Sequence, residues 1–205
     1  MSSSQQILSL YKSRVTIIDL LRTLQYNVQD YESFSINEVD AMSKHAQLDM
    51  LIEHASEKKK VYIKYVSCVR QGNLDNIVDD LFISETVLDK RTDTLILISD
   101  DEPNDMIRSK VEYLFNHDGI FVVIHNIKRL QFNLLKHKDV PPVRVLTEEE
   151  QTELMKKYRI DASQLPSISR FDPVSLAICL RPGQVCVFKR NSVVALETDF
   201  YRICE

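Results

Sequence analysis

The stretch Val61-Tyr62-Ile63-Lys64-Tyr65-Val66 decides how this chain folds, because β-branched and aromatic residues dominate it and predict a strand. Two later stretches, Thr94-Leu95-Ile96-Leu97-Ile98 and Ile120 to Ile124, consist of apolar and β-branched residues. Strands of such continuous apolar character are covered on both faces of their sheet. The three stretches therefore predict a sheet that is buried between helices.

Helical patterns surround these strands and predict an α/β fold with a central mixed sheet. The first helix is predicted from apolar residues at spacings of three, four and seven, namely Ile7, Leu10, Tyr11, Ile18, Leu21 and Leu24. The capping-box spacing of Ser35 and Glu38 predicts a second helix that runs to about Ala55. Three further elements are expected: a helix over Leu74 to Leu88, a helix that Pro103 opens and that ends near Asn116, and a short strand over Leu130 to Leu135.

The pair Pro141-Pro142 marks a domain boundary, because consecutive prolines force an extended backbone and the composition changes beyond them. We therefore predict one domain over residues 1–138 and a second over residues 139–205.

The second domain is predicted to be a small α+β unit. Thr147 and the three acids after it predict a helix that ends near Tyr158, since the hydroxyl caps the helix and the acids face its dipole. Asp172-Pro173 indicates another helix start, and two strands follow the turn at Gly183.

Composition and charge limit the classes of function. The chain carries a net charge of −4, whereas a protein that binds nucleic acid by itself normally has a clear basic excess. Its three glycines are too few for a glycine-rich phosphate loop. No apolar run approaches the roughly 18 residues that a membrane-spanning helix needs, and the start of the chain does not resemble a secretory signal. We expect a soluble intracellular protein without membrane contact, which touches duplex DNA only weakly and only within a complex.

The sequence contains no pattern that predicts a metal site, a cofactor or a catalytic centre. Its four cysteines lack a C-x-x-C pair, and its five histidines lack a ligand spacing such as H-x-x-x-H. Glu57-Lys58-Lys59 has the E-x-K form of metal-dependent nucleases, but it precedes the strand at Val61 instead of lying within it. We therefore expect reduced cysteines, no cofactor, and no enzymatic activity of the chain by itself.

A series of short motifs fills the chain from His137 to Glu205. In order they are Leu154-Met155-Lys156-Lys157-Tyr158, Gln164-Leu165-Pro166, Asp172-Pro173-Val174, Leu180, Gly183, Val185, Arg190, Ser192 and Tyr201-Arg202. This series, in register and without an insertion, resembles the assembly domain of the fifth subunit of eukaryotic RNA polymerase II, a domain that forms a separate small subunit in archaeal polymerases. The earlier residues resemble the jaw domain of the eukaryotic subunit more loosely, through the opening helix and the loop Asp100-Asp101-Glu102-Pro103.

The resemblance implies a jaw domain at residues 1–138 and an assembly domain at 139–205 of a non-catalytic subunit of a multi-subunit DNA-directed RNA polymerase. Such a subunit docks on the largest subunit, meets other polymerase subunits and forms the lower jaw beside downstream DNA in transcription. The nucleotidyltransferase chemistry belongs to the complex. The implied partner-binding residues are Gln164, Leu165, Pro166, Ile168, Arg170, Asp172, Pro173 and Arg190. The residues implied to lie near downstream DNA are Glu102, Pro103 and Asn104.

The same residues also fit a local role, in which the prolines shape a loop and Asp172 caps a helix. The rival function is a free regulatory binding module that uses this fold to engage transcription factors.

Several residues depart from the family's pattern. Ser167 stands for an arginine, Cys179 for a glycine, and Val193-Val194-Ala195-Leu196 replaces a turn that contains serine and glycine. A sequence that keeps the family's motifs but differs at such contact residues is similar to the homologues of large cytoplasmic DNA viruses of the African swine fever virus type. This similarity implies viral transcription in the host cytoplasm and presence in the virion, whereas a cellular origin implies the nucleus.

Overall fold

The chain forms two compact units in the computed structural model, which describes residues 3–205. The first unit ends at Phe132, and the second runs from Asn133 to Glu205. The proline pair predicts a boundary between residues 138 and 139, whereas in the structure residues 133–138 already belong to the second unit. The reason is a 3-10 helix at Leu134–Lys136, which packs against a helix at Pro173–Ala177 of the same unit.

The first unit contains four α-helices and four strands within the described residues. The helices are α1 (Ser3–Thr23), α2 (Ile36–Lys44), α3 (Gln71–Asp79) and α4 (Asp105–Tyr113), and the strands are β1 (Met50–Glu53), β2 (Lys60–Val66), β3 (Thr94–Ser99) and β4 (Phe121–Asn126). Shorter helical turns lie at Gln29–Tyr31, Asp80–Ser84, Leu114–Asp118 and Ile127–Gln131. None of the helices formed by residues 3–205 is long and apolar enough to cross a membrane.

The sheet of the first unit has the order β1-β2-β3-β4. Strands β2, β3 and β4 run parallel, with Val61 opposite Thr94 and Thr94 opposite Phe121, whereas β1 is antiparallel to β2. Every residue of β3 and β4 is buried, because parallel strands need crossover connections that place helices over the sheet. The predicted mixed sheet between helices is confirmed.

The second helix is shorter than predicted. The capping box of Ser35 and Glu38 forms as expected, but α2 ends at Lys44 and the chain then reverses through Ala46, whose φ is 54°. Met50 and Ile52 lie in β1 instead, each 1% exposed. A helical period and a strand period are hard to separate over so few residues, and pairing with β2 decides between them.

Two asparagines turn the segment Leu130 to Leu135 away from the predicted strand. The side chain of Asn126 accepts a hydrogen bond from Lys128 N (2.8 Å), and that of Asn133 accepts one from Leu135 N (2.9 Å). Such side-chain bonds to the backbone compete with a strand ladder and favour turns. The segment therefore forms 3-10 turns at Ile127–Gln131 and Leu134–Lys136.

The fourth helix begins two residues later than Pro103. Asn104 is the cap, since its Oδ1 accepts a hydrogen bond from Ile107 N at 2.9 Å. Pro103 therefore lies before the cap and not at an early helical position.

The second unit contains two α-helices and four strands. They are β5 (Val143–Val145), α5 (Glu148–Tyr158), β6 (Ser167–Ile168), α6 (Pro173–Ala177), β7 (Val185–Ser192) and β8 (Leu196–Cys204). The sheet order is β5-β7-β8-β6, where β7 and β8 form an antiparallel hairpin and β6 runs parallel to β8. One cluster in its core consists of five buried apolar residues: Leu146, Leu154, Val185, Val187 and Ile203.

The start of α5 is set by local chemistry, as predicted. Thr147 Oγ1 accepts a hydrogen bond from Glu150 N (3.2 Å), and the Glu150 carboxylate accepts one from Thr147 N (3.0 Å). Arg144 donates a further hydrogen bond to Glu150 at 2.8 Å. These contacts hold the pKa of Glu150 below its usual value, with the Arg144 bond as the largest cause.

Candidate partner-binding surface

The loop from Gln164 to Pro166 is attached to the edge of the second sheet. Gln164 ends a 3-10 helix and its Oε1 accepts a hydrogen bond from Asp161 N at 3.0 Å. The Pro166 carbonyl accepts one from Ile203 N (3.0 Å), and the short strand β6 then pairs with the end of β8. The sheet therefore holds the loop in one position.

The predicted partner-binding residues of this segment divide into exposed and buried members. Gln164, Pro166 and Pro173 are exposed. Leu165 is half-buried and packs against the apolar core of the unit. Ile168, 8% exposed, is inside. Gln164, Pro166 and Pro173 are thus accessible to a partner, whereas Ile168 is not.

Arg170 is also buried, at 6% exposure. Its backbone N donates to the Glu205 carbonyl at 2.8 Å, and its guanidinium lies 5.5 Å from the centre of the Phe171 ring. Its charge also lies close to the thiol of Cys204. Burial raises the pKa of Cys204 to about 11, and the positive charge of Arg170 acts to lower it. In the free chain, Arg170 is therefore placed to hold the loop against the chain end.

Asp172 and Pro173 start α6 as the sequence predicted. Asp172 Oδ1 accepts a hydrogen bond from Val174 N (2.9 Å), and its carbonyl accepts one from Leu176 N (2.9 Å). Pro173 occupies the first helical position, where its missing N–H costs little. The Asp172 carboxylate thus has a structural task whether or not a partner contacts it.

The hairpin of β7 and β8 carries Arg190 and an exposed apolar tip. The Arg190 guanidinium lies 4.2 Å from the centre of the Phe200 ring, so a cation–π contact orients this exposed side chain. At the tip, Val193, Val194 and Leu196 are 103%, 96% and 82% exposed. Sequence reasoning did not include this tip among the site residues, although the apolar run stands where a turn separates two strands.

The loop between β3 and α4 in the first unit contains the three residues expected near DNA. The Glu102 carboxylate accepts a hydrogen bond from Arg129 Nη2 at 2.8 Å. Asn104 caps α4, and Pro103 lies between them, half-buried. Sequence reasoning missed Arg129, because it lies 27 residues further along the chain.

The described residues hold no group of three or more histidine, cysteine or acidic side chains that could bind a metal ion. Glu57 forms an ion pair with Lys59 in the segment before β2. The four cysteines are free thiols, and burial raises the pKa of Cys179 to about 12 and that of Cys186 to about 11. Thiols with such values carry little thiolate at neutral pH and are poor nucleophiles.

Comparison with known proteins identifies relatives of the second unit. Residues 132–204 match the family described as RNA polymerase Rpb5, C-terminal domain. The DNA-directed RNA polymerase subunit Rpo5 of Thermococcus kodakarensis is 47% identical over 73 residues, which cover 36% of this chain and 89% of that subunit. Rpo5 of Archaeoglobus fulgidus is 39% identical over 74 residues, which cover 36% of this chain and 97% of that subunit.

A plant relative extends the similarity into the first unit. The DNA-directed RNA polymerase V subunit 5A of Arabidopsis thaliana is 27% identical over 191 residues, which cover 89% of this chain and 82% of that subunit. The archaeal subunits thus correspond to about one unit of this chain and the plant subunit to most of it. The chain therefore belongs to the family of DNA-directed RNA polymerase subunits that includes Rpo5 and Rpb5.

Proposed function

We propose that this chain is a non-catalytic structural subunit of a DNA-directed RNA polymerase, which docks on the largest subunit through its second unit. The first unit then forms the lower jaw beside downstream DNA. The observation that carries the proposal is the match of residues 132–204 to a polymerase-subunit domain. An archaeal polymerase subunit consists almost wholly of the matched length, which supports assembly as the role of this part.

The docking surface is proposed to combine the loop at Gln164–Pro166 with the outer part of the β7–β8 hairpin. The loop offers a rigid shape, because its backbone is hydrogen-bonded to β8. Arg190 offers a guanidinium that can bind a carboxylate with two parallel hydrogen bonds. The tip residues Val193, Val194 and Leu196 offer apolar surface that gains free energy when a partner covers it.

Downstream DNA is proposed to be a weak contact that exists only within the polymerase. The chain has a net charge of −4, so it repels phosphate overall. The ion pair of Glu102 with Arg129 neutralises one carboxylate of the loop implied to lie near DNA. The positive field that holds DNA would therefore come from other subunits.

Co-purification of the tagged full-length chain tests the proposal. A polymerase subunit should remain with the largest subunit through about 1 M salt, which screens charge contacts beyond roughly 3 Å, and cross-linking should join it to that subunit. A chain that leaves the polymerase at this salt concentration would instead be the free regulatory module that the sequence left open.

A matched pair of variants tests the docking surface. Lys189 and Arg190 are adjacent exposed residues of β7 and point to opposite faces of the hairpin. Arg190→Glu should weaken co-purification, whereas Lys189→Glu makes the same charge change and should not. Equal retention of both variants would remove Arg190 from the proposed surface.

A viral origin is a separate proposal and rests on the departures at Ser167 and Cys179 and in the hairpin tip. A viral origin predicts that the protein is found in purified virions and in the host cytoplasm. Detection in the nucleus of an uninfected cell would show a cellular origin instead.

A further inference from the structure

An acidic groove lies at one edge of the sheet in the first unit. Residues 100–101 follow β3 and residues 127–128 follow β4, so the parallel strands bring both segments to the same edge. Together with α1 and α2 they enclose a cavity of about 560 Å³. No residue that the sequence singled out for partner binding lies in this groove.

Part of the lining of the groove is apolar. Ile7 and Leu10 of α1 and Ile127 after β4 contribute it, and all three are half-buried. A second cavity of about 340 Å³ shares Leu10 and Ile127 and continues towards Tyr65 and Val66 at the end of β2. The two cavities therefore adjoin each other along a wall of mixed polar and apolar side chains, and together they are long enough for several consecutive residues of a peptide.

The groove also has an excess of acidic side chains. Asp40, Asp100 and Asp101 line it, and Lys128 is the basic residue beside them. Lys44 pairs with Asp40 at 2.6 Å. Within residues 3–205, neither Asp100 nor Asp101 forms an ion pair, and both are exposed. Two carboxylates are thus available to a cationic ligand.

The combination of apolar lining and acidic side chains selects one kind of occupant. Nucleic acid is disfavoured because its phosphates would face these carboxylates. Peptide segments bind grooves through apolar anchors, and complementary charges at the rim set their specificity. We propose that this acidic groove binds a short segment of another protein in which apolar residues are flanked by lysine or arginine. This docking site is independent of the proposed attachment through the second unit.

Selection from a random peptide library on the full-length chain tests the proposal. The enriched peptides should combine leucine, isoleucine or phenylalanine with lysine or arginine, and should lack acidic residues. The most enriched peptide, labelled for fluorescence anisotropy, then serves as the probe. A version with its basic residues replaced by glutamate should bind at least about tenfold more weakly.

Three variants place the binding in the groove. The double variant Asp100→Asn with Asp101→Asn should lower the affinity for the probe by about two- to thirtyfold at low salt, and added salt should reduce this difference. Ser43→Arg places a positive charge on an exposed wall residue, where it repels the basic residues of the probe, and should abolish binding. Ser43→Glu should retain or strengthen binding.

The matched control is Asp79→Asn with Asp80→Asn, which removes two exposed charges from the end of α3, outside the groove. It should leave the probe's affinity unchanged. The proposal is overturned if no peptide is enriched, if acidic peptides are enriched, or if Ser43→Arg binds as well as the unaltered chain. Equal losses for the two double variants would also overturn it, because only the overall charge would then matter.

Discussion

Leu154→Ala should destabilise the second unit more than any change on its surface. Leu154 is the buried residue of α5, at 7% exposure, and belongs to a cluster of five buried apolar residues in the core of this unit. Truncating a buried leucine to alanine removes apolar contacts and leaves a cavity, at a cost of about 2–5 kcal/mol. A domain of about 70 residues has a total stability on the order of 4–10 kcal/mol. The substitution should therefore remove between a fifth of this stability and all of it.

Hydrogen exchange measured by mass spectrometry on the full-length chain can follow this unit separately. Strand β7 contains Val185 and Val187 of the same core, so its amides should exchange through opening of the whole unit. A loss of 2 kcal/mol corresponds to about 30-fold faster exchange, and each further loss of about 1.4 kcal/mol to about tenfold more. The first unit should keep its exchange rates.

Glu153→Ala is the matched control, since Glu153 is the preceding residue of the same helix and is exposed. It should change the free energy of unfolding by less than about 0.5 kcal/mol. If Leu154→Ala accelerates exchange in β7 by less than about fivefold, or if Glu153→Ala has an equal effect, the assignment of the core is wrong.

Three further predictions concern folding, pH and DNA. Residues 133–205 should fold alone, because the matched archaeal subunit has nearly this extent; dispersed amide signals in a nuclear magnetic resonance spectrum would show it, and a collapsed spectrum would contradict it. The pKa of Glu150 is lowered by Arg144 and by Thr147, so its stabilising contribution is present at neutral pH and is lost as the pH falls through the lowered pKa. The melting temperature of Glu150→Gln should therefore fall less on acidification than that of the unaltered chain, and an equal fall would contradict this. The isolated chain should bind duplex DNA with a dissociation constant no lower than about 10⁻⁶ M at physiological salt. A titration that gives a nanomolar dissociation constant would refute the charge argument.

Features that depend on neighbouring residues could be predicted from the sequence. The capping boxes at Ser35 and Thr147 and the cap at Asp172 join groups two or three residues apart, so their spacing alone specifies them. The buried strands β3 and β4 could also be predicted, because continuous apolar residues have no stable place on a surface. The resemblance to a polymerase subunit rested on motifs in register, which are likewise a property of the sequence.

Features that depend on distant residues were decided by the tertiary structure alone. Met50 and Ile52 form a strand because β2 offers them a partner, although the pattern around them had predicted a helix. Glu102 is neutralised by Arg129 and Arg170 is enclosed beside the chain end, and no local spacing predicts either arrangement. The acidic groove exists because parallel strands bring residues 100–101 and 127–128 to one edge. Sequence patterns report local preference and burial, whereas these contacts arise only when separate segments pack together.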